Sequence, residues 1–145
     1  MKLSTRSRYG MRAILELALE YGNGPLQIKT IAERESISNK YLEQLIAILK
    51  SSGLVRSVRG PKGGYLLSRP PEEVSLKEVF TVLEGPLITV ECIEHPEYCD
   101  RCLDCITRDI WVEMHNAMLG VLESKTLEDL IKSAKLKSTR HDYQI

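Results

Sequence analysis

The chain has 145 residues, 20 basic and 20 acidic side chains and 43% hydrophobic residues, the make-up of one ordinary globular domain or of a small domain with an appendage. It contains no run of eighteen apolar residues, and Met1-Lys-Leu-Ser-Thr-Arg6 leads into an amphipathic pattern rather than a secretory core. Both features argue against membrane insertion and secretion and for a cytoplasmic protein. The neutral total conceals an asymmetry: up to Pro70 there are 12 Lys/Arg against 5 Asp/Glu (+7), and beyond it 8 against 15 (−7). A basic half beside an acidic one asks for a polyanionic partner on one side only.

Met11, Ile14, Leu15 and Ala18 recur at i, i+3, i+4, i+7 and predict an amphipathic helix, which Gly22-Asn-Gly24-Pro25 ends. A short helical pattern follows over 28–35, and Ser38 stands where an N-cap is needed for a third helix running to Ser52. Leu42, Leu45, Ile46 and Leu49 form the apolar face of that helix, while Lys40, Glu43 and Gln44 lie on the other side. Two helices joined by a very short turn, the second with a polar outward stripe, predict a helix-turn-helix. Gly53 then gives way to an extended pattern, 54–59 and 65–68, around Gly60-Pro-Lys-Gly-Gly64. A β-hairpin here makes a wing with Arg59, Gly60 and Lys62 at its tip, where an arginine can enter a minor groove or sit on phosphates. A nucleotide-binding reading of the glycines fails, because Gly64 is followed by Tyr65 and a strand pattern rather than by Lys-Ser/Thr and a helix.

Pro70-Pro71 interrupts the chain, and Ser75-Leu-Lys-Glu78 reads as a capping box for a short helix that Gly85-Pro86 stops. Residues 87–102 lack periodicity and carry Glu91, Glu94, Glu97 and Asp100. From about Leu103 a helix of roughly twenty residues, about 30 Å long, is expected with Ile106, Ile110, Met114, Ala117 and Val121 in one stripe. Its apolar side, which also includes Trp111 and Met118, exceeds what a small domain covers and predicts a homodimer through this helix. Thr126-Leu-Glu-Asp129 caps a last short helix, and a polar, frayed tail is expected from Lys135.

All four cysteines, Cys92, Cys99, Cys102 and Cys105, fall in one fourteen-residue polar segment. In a reducing cytosol, such a set points to a metal centre or redox chemistry rather than to disulfides, and on spacing alone a tetrahedral zinc site is as good a reading as an iron site. No acid/base pair or assisted nucleophile is visible, so an enzyme is not expected.

Three further segments carry a resemblance: Met1-Lys-Leu-Ser-Thr-Arg-Ser-Arg-Tyr9-Gly-Met-Arg-Ala13, Ile37-Ser-Asn-Lys-Tyr41-Leu-Glu-Gln-Leu45 and Val58-Arg-Gly-Pro-Lys-Gly-Gly-Tyr65-Leu66. With the cysteine segment, they make the chain resemble the IscR-type iron-sulfur regulators over nearly its whole length. That winged-helix family also includes nitric-oxide-sensing NsrR, iron-sensing RirA and cysteine-responsive CymR. The resemblance implies a mainly α fold with a small β-hairpin wing, divided into a winged helix-turn-helix domain (1–84), a cluster loop (85–105), a dimerisation helix with a C-terminal helix (103–134) and a polar tail (135–145).

The resemblance further implies a homodimeric repressor of iron-sulfur biogenesis genes that binds double-stranded operator DNA through Lys40, Tyr41, Glu43, Gln44, Arg59, Gly60 and Lys62. Cys92, Cys99 and Cys105 match the family's cluster ligands, with 2Fe-2S favoured over 4Fe-4S and zinc as the alternative. The histidine that usually follows the last cysteine by three residues is replaced by Arg108, which cannot ligate. Cys102 is the first substitute for the fourth ligand and His95 the second. Carboxylates around the loop should lower the cluster's reduction potential and make it labile. A regulator sensing nitric oxide, redox state or zinc, or a zinc-stapled interaction module, are the competing readings.

Overall fold

The computed structural model describes residues 2–142, without the side chains of residues 141 and 142. Helix α1 spans Thr5–Leu19, and Ser4 caps it by accepting the Ser7 N–H at 3.1 Å. It buries Ala13, Ile14, Leu17 and Ala18. Helix α2, Ile28–Glu35, ends at Ser36, whose φ of 54° is the left-handed stop that breaks the chain toward the next helix. Ile37 then drops into the core, with its N–H on the Ala32 carbonyl at 3.0 Å. Helix α3, Asn39–Ser51, starts on Ser38, which accepts the Tyr41 N–H at 3.2 Å. Its Leu42, Leu45, Ile46 and Leu49 are all buried, as their spacing requires.

The wing is the antiparallel pair β1, Val55–Val58, and β2, Gly64–Leu67, with Val55 opposite Leu67 and Val58 opposite Gly64. Its turn closes with the Gly63 N–H on the Gly60 carbonyl at 3.0 Å. Gly60 sits at φ 110°, a conformation that side chains resist. One rung was not foreseen: Leu26 pairs with Tyr65 through N–H···O bonds of 3.0 and 2.9 Å, so the loop before α2 anchors the base of the wing.

Helix α4, Leu76–Glu84, is capped by Ser75, which accepts the Glu78 N–H at 3.1 Å. The expected capping box is only half present, because the Glu78 carboxylate pairs with Arg69 instead. Two 3-10 turns, Glu91–Ile93 and Pro96–Tyr98, lead to the long helix α5, Ile106–Ser124, and then to α6, Leu127–Asp142. The start of α5 corrects the expectation of about Leu103: that residue lies outside the helix, 97% exposed, and Cys105 is the N-cap.

Helix α6 also corrects an expectation. It continues through the tail expected from 135, and only residues 143–145 of that tail lie outside the described residues. It is tied down at its start, where Leu76 N–H bonds the Lys125 carbonyl at 2.9 Å and Leu127 N–H the Val74 carbonyl at 3.0 Å. Leu127 and Ile131 enter the core formed by α1, α3, α4 and the wing base. The fold is six helices with a two-stranded hairpin, the winged-helix arrangement that the sequence pattern predicts. No described helix is long and apolar enough to cross a membrane.

Candidate nucleic-acid interface and cysteine loop

The polar stripe of α3 stands on a buried one. Lys40, Glu43 and Gln44 are exposed, while Leu42, Leu45 and Ile46 lock the helix from beneath. Tyr41 differs from its neighbours: it is half-buried, with its ring edge-on to Tyr9 at 6.1 Å. It therefore fastens the start of α3 to α1. Arg12 lies over the same Tyr9 ring at 5.3 Å and donates from Nε to Glu35 at 2.5 Å. At the wing tip Arg59, Gly60, Pro61 and Lys62 are all exposed.

Ion pairing sorts the basic half of the chain. Glu35 holds Arg12, and Glu16 and Glu20 hold Arg34 at 2.9 and 3.2 Å, so three of the five front-half carboxylates are consumed within the fold. Lys40, Arg56, Arg59 and Lys62 have no ion-pair partner among the described residues, which leaves their charge for an outside anion. Arg56 is missed by the sequence reading. It is exposed on β1 opposite Leu66, and Val55-Arg56-Ser57-Val58, with two polar residues in succession, carries no alternation that would have marked it.

The four cysteines are unpaired; Cys92, Cys102 and Cys105 are half-buried and Cys99 is exposed. The loop is organised around one backbone carbonyl. The Cys92 oxygen accepts from Arg108 Nε at 3.3 Å and receives the Cys102 thiol at 3.7 Å. Cys105 Sγ lies 3.2 Å from the Thr107 hydroxyl, and that hydrogen bond, helped by the backbone N–H groups of Arg108 and Thr107, holds the Cys105 thiol below its ordinary range. Cys102 and Cys105 do not share a helix, since α5 begins only at Ile106 and Cys102 sits in the preceding turn.

His95 stacks on Tyr98, with ring centroids 4.8 Å apart, and its Nδ1 lies 3.2 Å from Glu97 Oε1, so its ring is engaged within its own turn. His115 is buried in α5 with Nδ1 unpartnered among the described residues. No three His, Cys, Asp or Glu side chains among the described residues converge closely enough to hold an ion as they stand. The donor chemistry nevertheless fits a thiophilic metal centre: four free thiols lie in one short segment, and the one at the mouth of α5 is biased toward thiolate.

Residues 3–133 match the Rrf2 family, described as iron-dependent transcriptional regulators. The chain is 42% identical to the transcriptional regulator CymR of Bacillus subtilis over 130 residues, 90% of this chain and 89% of that one. It is 36% identical to the regulator IscR of Photorhabdus laumondii over 94% of its own length and 82% of that protein's. Among solved structures, that of CymR, the global cysteine regulator of B. subtilis, superposes with a TM-score of 0.80 at 39% identity, covering 92% of this chain and 98% of the other. The IscR of T. potens superposes at 0.77 with 40% identity, covering 92% and 88%.

Proposed function

Because the chain belongs to the Rrf2 family of transcription regulators, we propose that it is a homodimeric repressor of iron-sulfur biogenesis genes whose grip on operator DNA depends on occupancy of its cysteine loop. Like its relatives, it is a regulator and not an enzyme. The observation that carries the proposal is the union, in one short segment docked on the first turn of α5, of four free thiols with a helix whose outer face is apolar and uncovered.

On DNA, α3 lies in the major groove. Gln44 can pair bidentately with adenine and Glu43 can accept from cytosine N4, while Lys40 meets guanine or phosphate. Arg59 and Lys62 of the wing, with Gly60 allowing close backbone approach, reach the minor groove or the phosphates. Tyr41 acts from behind, by fixing the start of α3 against Tyr9.

Cys92, Cys99, Cys102 and Cys105 would hold a 2Fe-2S cluster, with 4Fe-4S or zinc as alternatives and His95 as the other candidate donor. A bound cluster supplies an iron- and oxidant-sensitive crosslink among the thiolates. Taken together, the four thiolates order residues 92–105 and fix how α5 meets the winged domain, which biases the dimer toward one spacing of its α3 helices.

Anaerobic purification, visible absorption and quantitation of iron, sulfide and zinc test this directly. Coloured protein with iron and sulfide, whose affinity for operator DNA changes on cluster removal, is expected. Colourless, iron-free protein after attempted reconstitution would sink the sensing half. The likeness to CymR favours one second reading, a regulator responsive to cysteine or thiol state. It predicts colourless protein whose DNA affinity responds to thiol oxidation.

A further inference from the structure

Arg108 stands where the resemblance places a ligand histidine, and its contacts give it a different task. It lies in the first turn of α5, half-buried, and touches both ends of the cysteine segment. Its Nε donates to the Cys92 carbonyl at 3.3 Å across sixteen residues of chain. Its backbone N–H bonds the Cys105 carbonyl at 3.2 Å. The Cys102 thiol packs on the same Cys92 oxygen at 3.7 Å. The Arg108 side chain thus ties the Cys92 backbone, on which the Cys102 thiol also rests, to the first turn of α5 beside Cys105, while Cys99 stays exposed.

Charge makes the second half of the argument. From residue 91 to 105 the segment holds Glu91, Glu94, Glu97, Asp100 and Asp104 against a single cation, the exposed Arg101. Thiolates gathered there would face carboxylates on most sides. A guanidinium keeps its charge at any physiological pH. That of Arg108 has only Nε engaged, so its remaining N–H groups have no partner among the described residues. Hydrogen bonds and net charge at the sulfurs are what set the potential and persistence of such centres.

We infer that Arg108 is a positioning residue of the cysteine loop, which ties Cys92 to Cys105 before a metal arrives and then offsets the negative charge that the acidic loop and thiolates accumulate. This rests on the cluster reading for its second half only. The tether lowers the entropy lost when the loop closes on a metal, and the charge counters the fall in potential that the carboxylates impose. By giving up a ligand at 108, the chain would make Cys102 the fourth donor.

The experiment compares full-length wild type with Arg108→Gln and Arg108→Lys. In the metal-free proteins, amide hydrogen exchange over residues 92–105 should rise about tenfold in Arg108→Gln, with α3 unchanged. Equal rates overturn the tether. After anaerobic reconstitution, Arg108→Gln should be harder to reduce by about tenfold in the equilibrium, about 59 mV for one electron. It should also lose its visible absorption faster in air, while Arg108→Lys keeps most of the potential. An unshifted potential overturns the charge role. Wild type that takes up no cluster removes the charge role together with the proposed function, while the exchange comparison still decides the tether.

Discussion

At α3 the single carboxylate among the side chains proposed to face the groove is Glu43. It is exposed, and no cation pairs with it among the described residues. Inside a groove lined by phosphates, such a charge would be tolerated only where a base donor meets it, so it would reject more sites than it attracts. Glu43→Ala should broaden the set of duplexes bound in a competition panel; unchanged relative affinities would remove Glu43 from the readout. Arg59 works with the opposite sign. Arg59→Ala should weaken operator binding by about 1–3 kcal/mol in a mobility-shift titration if it contacts a base or the minor groove.

Away from DNA, Glu84 accepts from the hydroxyls of Ser4 and Ser7, which hold its carboxyl below the usual glutamate range and join the end of α4 to the cap of α1. A depressed folded pKa stabilises above the unfolded value of 4.5 and loses that stability as pH falls through the folded value. The stability gap between wild type and Glu84→Gln should therefore be open at neutral pH and close only below 4.5 in denaturant titrations. A gap that widened in acid would contradict the assignment.

Elements whose ends are written in local chemistry are legible in the sequence. The 28–35 helix, the Ser38 cap, the buried stripe of α3 and the hairpin all follow from spacing, Gly and Ser. What escaped depends on partners distant in sequence. The Leu26–Tyr65 rung is a tertiary pairing, and Arg69 diverts Glu78 from its capping box. Helix α6 is polar beyond Lys135, yet it is nucleated by Leu127 and Ile131, two residues that fill a core built by other helices. The cysteine loop was legible as a donor set, but not as a set organised around the Cys92 carbonyl, because Arg108 reads in sequence only as a missing ligand. Capping carries a prediction of its own. Ser38→Ala should cost about 1 kcal/mol in chemical unfolding, and should weaken DNA binding by fraying the turn that carries Lys40 and Tyr41. Lost affinity without lost stability would mean that Ser38 contacts DNA itself.

At the scale of the whole molecule, α5 presents two faces. Leu122 packs against the core, His115 is buried and Met118 half-buried, which answers in part the excess of apolar surface that the sequence displays. About a quarter-turn away, Ile106, Ile110, Met114 and Val121 follow one another along the helix, all exposed, with Ile110 at 52% and Val121 at 60%. A stripe of four such residues along about 22 Å is more than a lone soluble domain ordinarily leaves bare, and a twofold mate laying the same stripe against it would cover both copies. The pairing would also hold two α3 helices at a fixed separation, which a palindromic operator requires to be about one turn of DNA.

Ile110 lies well inside the stripe, so Ile110→Glu would introduce two carboxylates, one from each copy, into an apolar seam with no cation on it. An unpaired buried charge costs several kcal/mol, enough to move the dimer equilibrium by more than a hundredfold. Sedimentation equilibrium should find the variant monomeric where wild type is dimeric, with unchanged helical content. Affinity for a palindromic duplex should fall, while the weaker binding to a half-site duplex persists. A variant that stays dimeric would place the contact elsewhere on the molecule, and would also detach the cysteine loop from any influence on the spacing of the recognition helices.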